Sequence, residues 1–123
     1  MSQSRRDEEA RAEAVFEALA DGTRRAVLRQ VAERGPVTAT ELATGLPVSR
    51  QAIAKHLAVL RGAGLVDQER AGRETRFSAD TGPMVDASRW LEATGAAWDD
   101  RLGRLAARLE QRARARGGPP ERE

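Results

Sequence analysis

A mainly α-helical fold with one small β-hairpin and a long C-terminal helix is the class this sequence predicts, on three observations. Apolar residues recur at three- and four-residue steps through most of the chain, from Ala12, Val15, Phe16 and Leu19 to Leu102, Leu105 and Leu109. One stretch alone, 65–78, reads instead as two short runs either side of Ala71-Gly72-Arg73. Aromatic residues are only 3% of the chain against 33% charged residues, so the core has to be built from Ala, Val and Leu under a heavily ionic surface.

Residues 1–7 are polar and are expected to be disordered, leaving 8–112 as the folded body and 113–123, rich in Arg, Gly and Pro, as a disordered tail. The first helix runs from Glu8 to Ala20 and ends at Asp21-Gly22. Asp21 then caps a second helix through Glu33, with Val27, Leu28 and Val31 as its inner stripe and Gly35-Pro36 as its stop. Thr38-Ala39-Thr40-Glu41 is a capping-box pattern, in which each end of the motif satisfies a backbone N–H of the other, so a short third helix follows and ends near Gly45. Leu46-Pro47-Val48 makes a turn and Ser49 caps a fourth helix to Arg61 or Gly62. Ile53, Leu57 and Leu60 fall at i, i+4 and i+7 and face the core, which leaves Arg50, Gln51, Ala54, Lys55, Ala58 and Arg61 on the outer side.

Gly62-Ala63-Gly64 breaks that helix. Leu65 to Arg70 and Glu74 to Ser78 form the two strands of the hairpin, which leans Leu65, Val66 and Phe77 on the helices because a lone hairpin is marginal in water. Pro83 suits the first turn of the last helix, which continues to about Arg112 with Gly95 as the place for a bend. Its Leu91, Trp98, Leu102, Leu105 and Leu109 step by seven, four, three and four, the heptad spacing of a helix that requires a partner helix. A chain of 123 residues buries a modest core alone, which agrees with a homodimer.

Two short helices joined by a tight turn, the second with bases and small side chains on its outer face, make a helix-turn-helix, and the following hairpin makes it winged. Between Pro47 and Ser78 the bases are Arg50, Lys55, Arg61, Arg70, Arg73 and Arg76 against the acids Asp67, Glu69 and Glu74, and no acid lies between Ser49 and Gly64. That is the footprint of a surface meeting phosphate, with a solvated helix face as the bland alternative. Arg50 has the donors for a bidentate pair with guanine and Gln51 those for adenine, while Lys55 and Arg61 suit phosphates. Gly72 lets the hairpin turn, so Arg73 projects from its tip toward a minor groove or the backbone, with Arg70 and Arg76 beside it; the alternative is that these arginines decorate a solvated hairpin. His56, the single histidine, flanks the core line and reads either as a phosphate donor or as a packed structural residue.

The chain has no cysteine, which excludes disulfides, thiolate metal sites and a cysteine nucleophile. It lacks a histidine–carboxylate pair near a nucleophile and a phosphate-binding glycine loop, so no catalytic residue is assigned and no enzyme is expected. Asp86, Asp99 and Asp100 read as surface carboxylates, so neither metal nor cofactor is expected. No apolar stretch forms a signal peptide or approaches a membrane span, and a cytoplasmic location with no membrane partner is expected.

Phe16 to Leu28 resembles the ArsR-family opening "LADPTRRxIL", with Gly22 where proline is usual. Glu41-Leu42-Ala43 and then Leu46 to Val66 are similar to that family's "ELAxxLxVSRPAVSRHLRVLREAGLV". With Gly72-Arg73, the resemblance spans roughly Val15 to Phe77, and Trp90-Leu91, Trp98, Arg101-Leu102 and Leu105 are similar to a branch with an extended C-terminal helix. The resemblance implies a winged helix-turn-helix transcriptional regulator that binds double-stranded DNA as a homodimer. It implies that Ser49, Arg50, Gln51, Lys55 and His56 face DNA and that Arg73 is the wing contact. It further implies dimerisation through the first and last helices, hence Phe16 and Leu19 together with Leu91, Trp98, Leu102, Leu105 and Leu109. Gln51 and Ala54 depart from the family's frequent proline and serine, so base preference is not transferable. The paired cysteines of metal-sensing members are absent, which places the chain in a branch without a metal site. The expectation is a repressor on a pseudo-palindromic operator, open to an unidentified small-molecule effector. The alternative is a winged-helix protein-interaction module without specific DNA binding.

Overall fold

The computed structural model describes residues 2–115, excepting the side chains of Ser2, Trp98 and Arg101. Helix α1 spans Ser2–Leu19, starting six residues before Glu8. Residues 2–7, expected to be disordered, are helical because nothing between them and the body, neither Gly nor Pro, stops the helix from continuing into solvent. Helix α2, Gly22–Arg34, opens where Asp21, in extended conformation, accepts the backbone N–H of Arg24 at 3.1 Å. It closes at Gly35, whose N–H donates to the Val31 carbonyl at 2.8 Å. A Cβ on Gly35 would stand 2.5 Å from the Val31 oxygen and 3.1 Å from the Phe77 oxygen, so only glycine lets the end of α2 approach the sheet backbone this closely.

The expected hairpin is present as β2, Val66–Ala71, and β3, Glu74–Ala79, and a short strand β1, Val37–Thr38, joins it to make a three-stranded antiparallel sheet in the order β1-β3-β2. Two residues show no period, so β1 left no pattern to read; it forms because Val37 is driven into the core and lies opposite Phe77. Strand β2 begins one residue later than expected, with Leu65 buried just ahead of it and its carbonyl accepting the Asp80 N–H at 2.8 Å.

Helix α3, Ala39–Gly45, carries the capping box: Thr38 Oγ1 accepts the Glu41 N–H at 3.1 Å and Glu41 Oε1 accepts the Thr38 N–H at 3.0 Å. Helix α4, Arg50–Gly62, is capped by Ser49, whose Oγ accepts the Ala52 N–H at 3.1 Å. Helix α5, Gly82–Ala115, is a single helix of 34 residues that continues through Gly95, and it includes the first three residues of the expected tail. Residues 116–123 lie outside the described residues.

The chain divides into two compact units, 1–90 and 91–123. The first holds the core: Ala12, Val15 and Ala18 of α1 meet Val27, Leu28 and Val31 of α2, Leu42 of α3, and Ile53, Leu57 and Leu60 of α4, with Val37, Leu65, Val66 and Ala87 filling in. Phe16 lies partly buried against Trp90, ring centroids 5.9 Å apart and tilted by 54°. In the second unit, helix residues 91–115 leave Leu91, Leu102, Leu105 and Leu109 at 50–55% exposure. Among the described residues no helix is long and apolar enough to cross a membrane.

Candidate nucleic-acid interface

The site is built on α4, and its orientation follows from three residues. Ile53, Leu57 and Leu60 are at most 2% exposed, and full burial of each such side chain contributes about 1.5–3 kcal/mol. A rotation of the helix that turned its opposite face inward would forfeit that burial, so Arg50, Gln51, Ala54, Lys55, Ala58 and Arg61 are held outward, and all six are exposed. The turn that leads into α4 is fixed by Leu46 and Val48, both half-buried against the core. Ser49 is exposed at the N-terminus with its hydroxyl engaged in the cap.

His56 sits differently from its neighbours. It is half-buried, and its Nδ1 is enclosed without a hydrogen-bond partner, as is Nε of Arg24. Its surroundings are the junction of α1 and α2. The Asp21 carboxyl there is held below the ordinary aspartate value chiefly by the Arg24 N–H and also by the Thr23 N–H and by the charges of Arg24 and His56, against desolvation that raises it. At the same junction, Arg24 donates to the carbonyl oxygens of Glu17 and Ala18 at 3.2 and 3.3 Å, and Arg25 to that of Leu19 at 2.6 Å. These arginines satisfy the last carbonyls of α1, a role the sequence pattern did not disclose because the acceptors are backbone atoms.

The wing presents its tip through Gly72, at φ +64, followed by Arg73 at negative φ; a two-residue loop with positive φ at its first position is a type II′ turn, whose twist matches the strands it joins. Arg70, Arg73 and Arg76 are all exposed. A groove of about 890 Å³ separates the wing from the start of α3 and α4; Arg50, Arg70, Arg73 and Arg76 line it together with Thr38, Glu41 and Glu74. A second groove of about 420 Å³ runs along Ala54, Ala58 and Arg61 of α4, with Gln68 and Phe77 of the sheet as its other wall. The fold thus brings Arg50 and Arg73, remote in sequence, to one groove, and places Arg61 along the neighbouring one.

The remaining residues singled out from the sequence lie elsewhere. Phe16 and Leu19 pack partly buried against the core, whereas Leu91, Leu102, Leu105 and Leu109 are exposed along α5; the Trp98 side chain lies outside the described residues. Among the described residues no three His, Asp or Glu side chains are grouped to hold a metal ion.

A family model described as a helix-turn-helix domain matches residues 19–69, from the end of α1 into β2. The chain is 39% identical over 87 residues to an uncharacterized HTH-type transcriptional regulator of Bacillus subtilis, YuzN, covering 65% of this chain and 95% of the relative. It is 31% identical over 77 residues to the transcriptional repressor SdpR of the same organism, covering 63% and 84%. Among solved structures, an ArsR-like transcriptional regulator from Rhodococcus sp. RHA1 is similar with a TM-score of 0.70 and 45% identity, over 79% of this chain and 91% of that one.

Proposed function

The chain belongs to the ArsR family of winged helix-turn-helix, DNA-binding transcriptional regulators, and on that premise we propose that it is a homodimeric repressor that lays α4 in the major groove of a pseudo-palindromic operator. Such a regulator acts by occupying DNA and not as an enzyme. The observation that carries the proposal is the two-sidedness of α4: three aliphatic residues sealed in the core, and on the other side Arg50, Gln51, Lys55 and Arg61 exposed with no acid between Ser49 and Gly64.

The major groove is about 12 Å wide and admits one helix, and small residues at Ala54 and Ala58 permit close approach. Arg50 reads guanine O6 and N7, Gln51 reads adenine, and Lys55 and Arg61 neutralise phosphates. Ser49 presents the N-terminus of α4 to the backbone, and Arg73 at the wing tip enters the adjacent minor groove. His56 reaches DNA only through its exposed edge, because its Nδ1 is enclosed.

Two copies pair through the exposed leucines of α5, Leu91, Leu102, Leu105 and Leu109, with Trp98 on the same heptad line and Phe16 and Leu19 as the contribution of α1. The two copies of α4 then stand about 34–36 Å apart, one helical turn of DNA. Repression is supported by the similarity to SdpR. The protein works in the cytoplasm.

The test is replacement of Arg50 and Lys55 together by Ala, with DNA affinity and sedimentation measured on the same preparation. Loss of at least about tenfold in affinity with the dimer intact is expected, since one bidentate base contact alone is worth about 1–3 kcal/mol. Unchanged affinity would favour a protein-interaction platform instead.

A further inference from the structure

Among the three wing arginines, the sheet register separates one from the others. Side chains alternate between the faces of a strand, and residues opposite one another on an antiparallel ladder share a face. Val66, buried against the body, marks the helix-facing side of β2. Gln68 and Arg70 follow it on that side, with their ladder partners Phe77 and Thr75. The other side carries the pairs Glu69 with Arg76 and Ala71 with Glu74.

Arg76 is therefore among acids. It lies across from Glu69, and its guanidinium is 3.7 Å from the Glu74 carboxylate. Glu41 is held below the ordinary glutamate value first by the Thr38 backbone N–H and then by the Thr38 side chain, with the charges of Arg76 and Arg34 adding to this. Glu41 and Glu74 are the two carboxylates lining the large groove; Glu74 lies against Arg76, and Glu41 is taken up by the Thr38 N–H at 3.0 Å. Arg70 has neutral neighbours on its face, is exposed, and has no ion-pair partner among the described residues. It lines the same groove as Arg50 and Arg73, which leaves three arginines there without a matching acid.

We propose that Arg70 is a phosphate contact that holds the DNA strand running between α4 and the wing, and that Arg76 is a counter-ion for its surrounding acids and touches no phosphate. The inference rests on the DNA-binding reading of α4 and adds to it a residue on the flank of the wing rather than at its tip. A guanidinium so placed positions the duplex without reading sequence, so its contribution is the same on any sequence.

The experiment measures binding of a short random-sequence duplex by the full chain and by its Arg70→Gln, Arg70→Lys and Arg76→Gln variants across a salt series. Each phosphate contact contributes about 0.9 to the slope of log affinity against log salt. Arg70→Gln is expected to lower the slope by that amount, so that its loss of affinity between about 50 and 200 mM salt is about 3.5-fold smaller than the parent's. Arg70→Lys keeps the charge and the parent slope, and Arg76→Gln leaves the slope unchanged. An Arg70→Gln slope equal to a steep parent slope, or an equal drop for Arg76→Gln, overturns the assignment alone. A parent slope near zero overturns the DNA-binding reading together with it.

Discussion

Ser49 accepts the backbone N–H of Ala52 through its hydroxyl oxygen at 3.1 Å, so the residue at the mouth of α4 is also its cap. Removing the hydroxyl leaves a first-turn N–H unsatisfied, and Ser49→Ala is expected to lower stability by about 1 kcal/mol in a urea or thermal melt. Ser49→Asp separates the two roles. A carboxylate caps as well as a hydroxyl, so stability stays near the parent's, yet it puts a negative charge where phosphate is to approach, and DNA affinity falls. Parent-like DNA binding by the Asp variant would place the start of α4 away from the duplex.

The reciprocal pair at the head of α3 gives the fold a pH dependence. The Thr38 backbone N–H first, and the Thr38 side chain next, hold the Glu41 carboxyl below the ordinary glutamate value. A carboxyl more acidic in the folded chain than in the unfolded one adds stability that is complete above the unfolded value and is lost as pH falls through the folded one. Asp21 follows the same sign, held down chiefly by the Arg24 N–H. Glu41→Gln is therefore expected to flatten the decline in urea stability between about pH 5 and about pH 3. Parallel declines for parent and variant would contradict the role given to this carboxylate.

Along α5, Leu102 and Leu105 are 55% and 50% exposed on a helix whose apolar steps follow a heptad. Leu102→Ala with Leu105→Ala is expected to shift the chain toward monomer in sedimentation equilibrium while the helical signal of the first unit persists. A dimer of parent strength would move the pairing surface elsewhere on the chain.

Elements with local signals were legible in the sequence. Asp21, Thr38 with Glu41, and Ser49 each announced a helix start because capping is a matter of three neighbouring residues, and the outer face of α4 followed from the spacing of Ile53, Leu57 and Leu60. What depended on distant partners was not legible. Strand β1 exists only because Val37 lies opposite Phe77, the arginine contacts at the α1–α2 junction end on backbone oxygens, and the acids around Arg76 come from both strands of the wing and from α3. The start of α1 at Ser2 was missed for another reason: polar residues were read as disorder, although polarity without Gly or Pro does not stop a helix already begun.

The absence of cysteine lets one be placed at will, and Gly62, exposed at the end of α4 with open space where a side chain would stand, reports on nearby DNA without filling the face that meets it. A chain with Gly62→Cys, carrying an iron chelate that cleaves nearby sugars, is to be bound to duplex fragments selected by the protein itself. Cleavage confined to two clusters about one helical turn apart is the expected pattern, one from each copy of α4. Bound DNA left uncut, or cut evenly along its length, would mean that α4 does not enter the major groove.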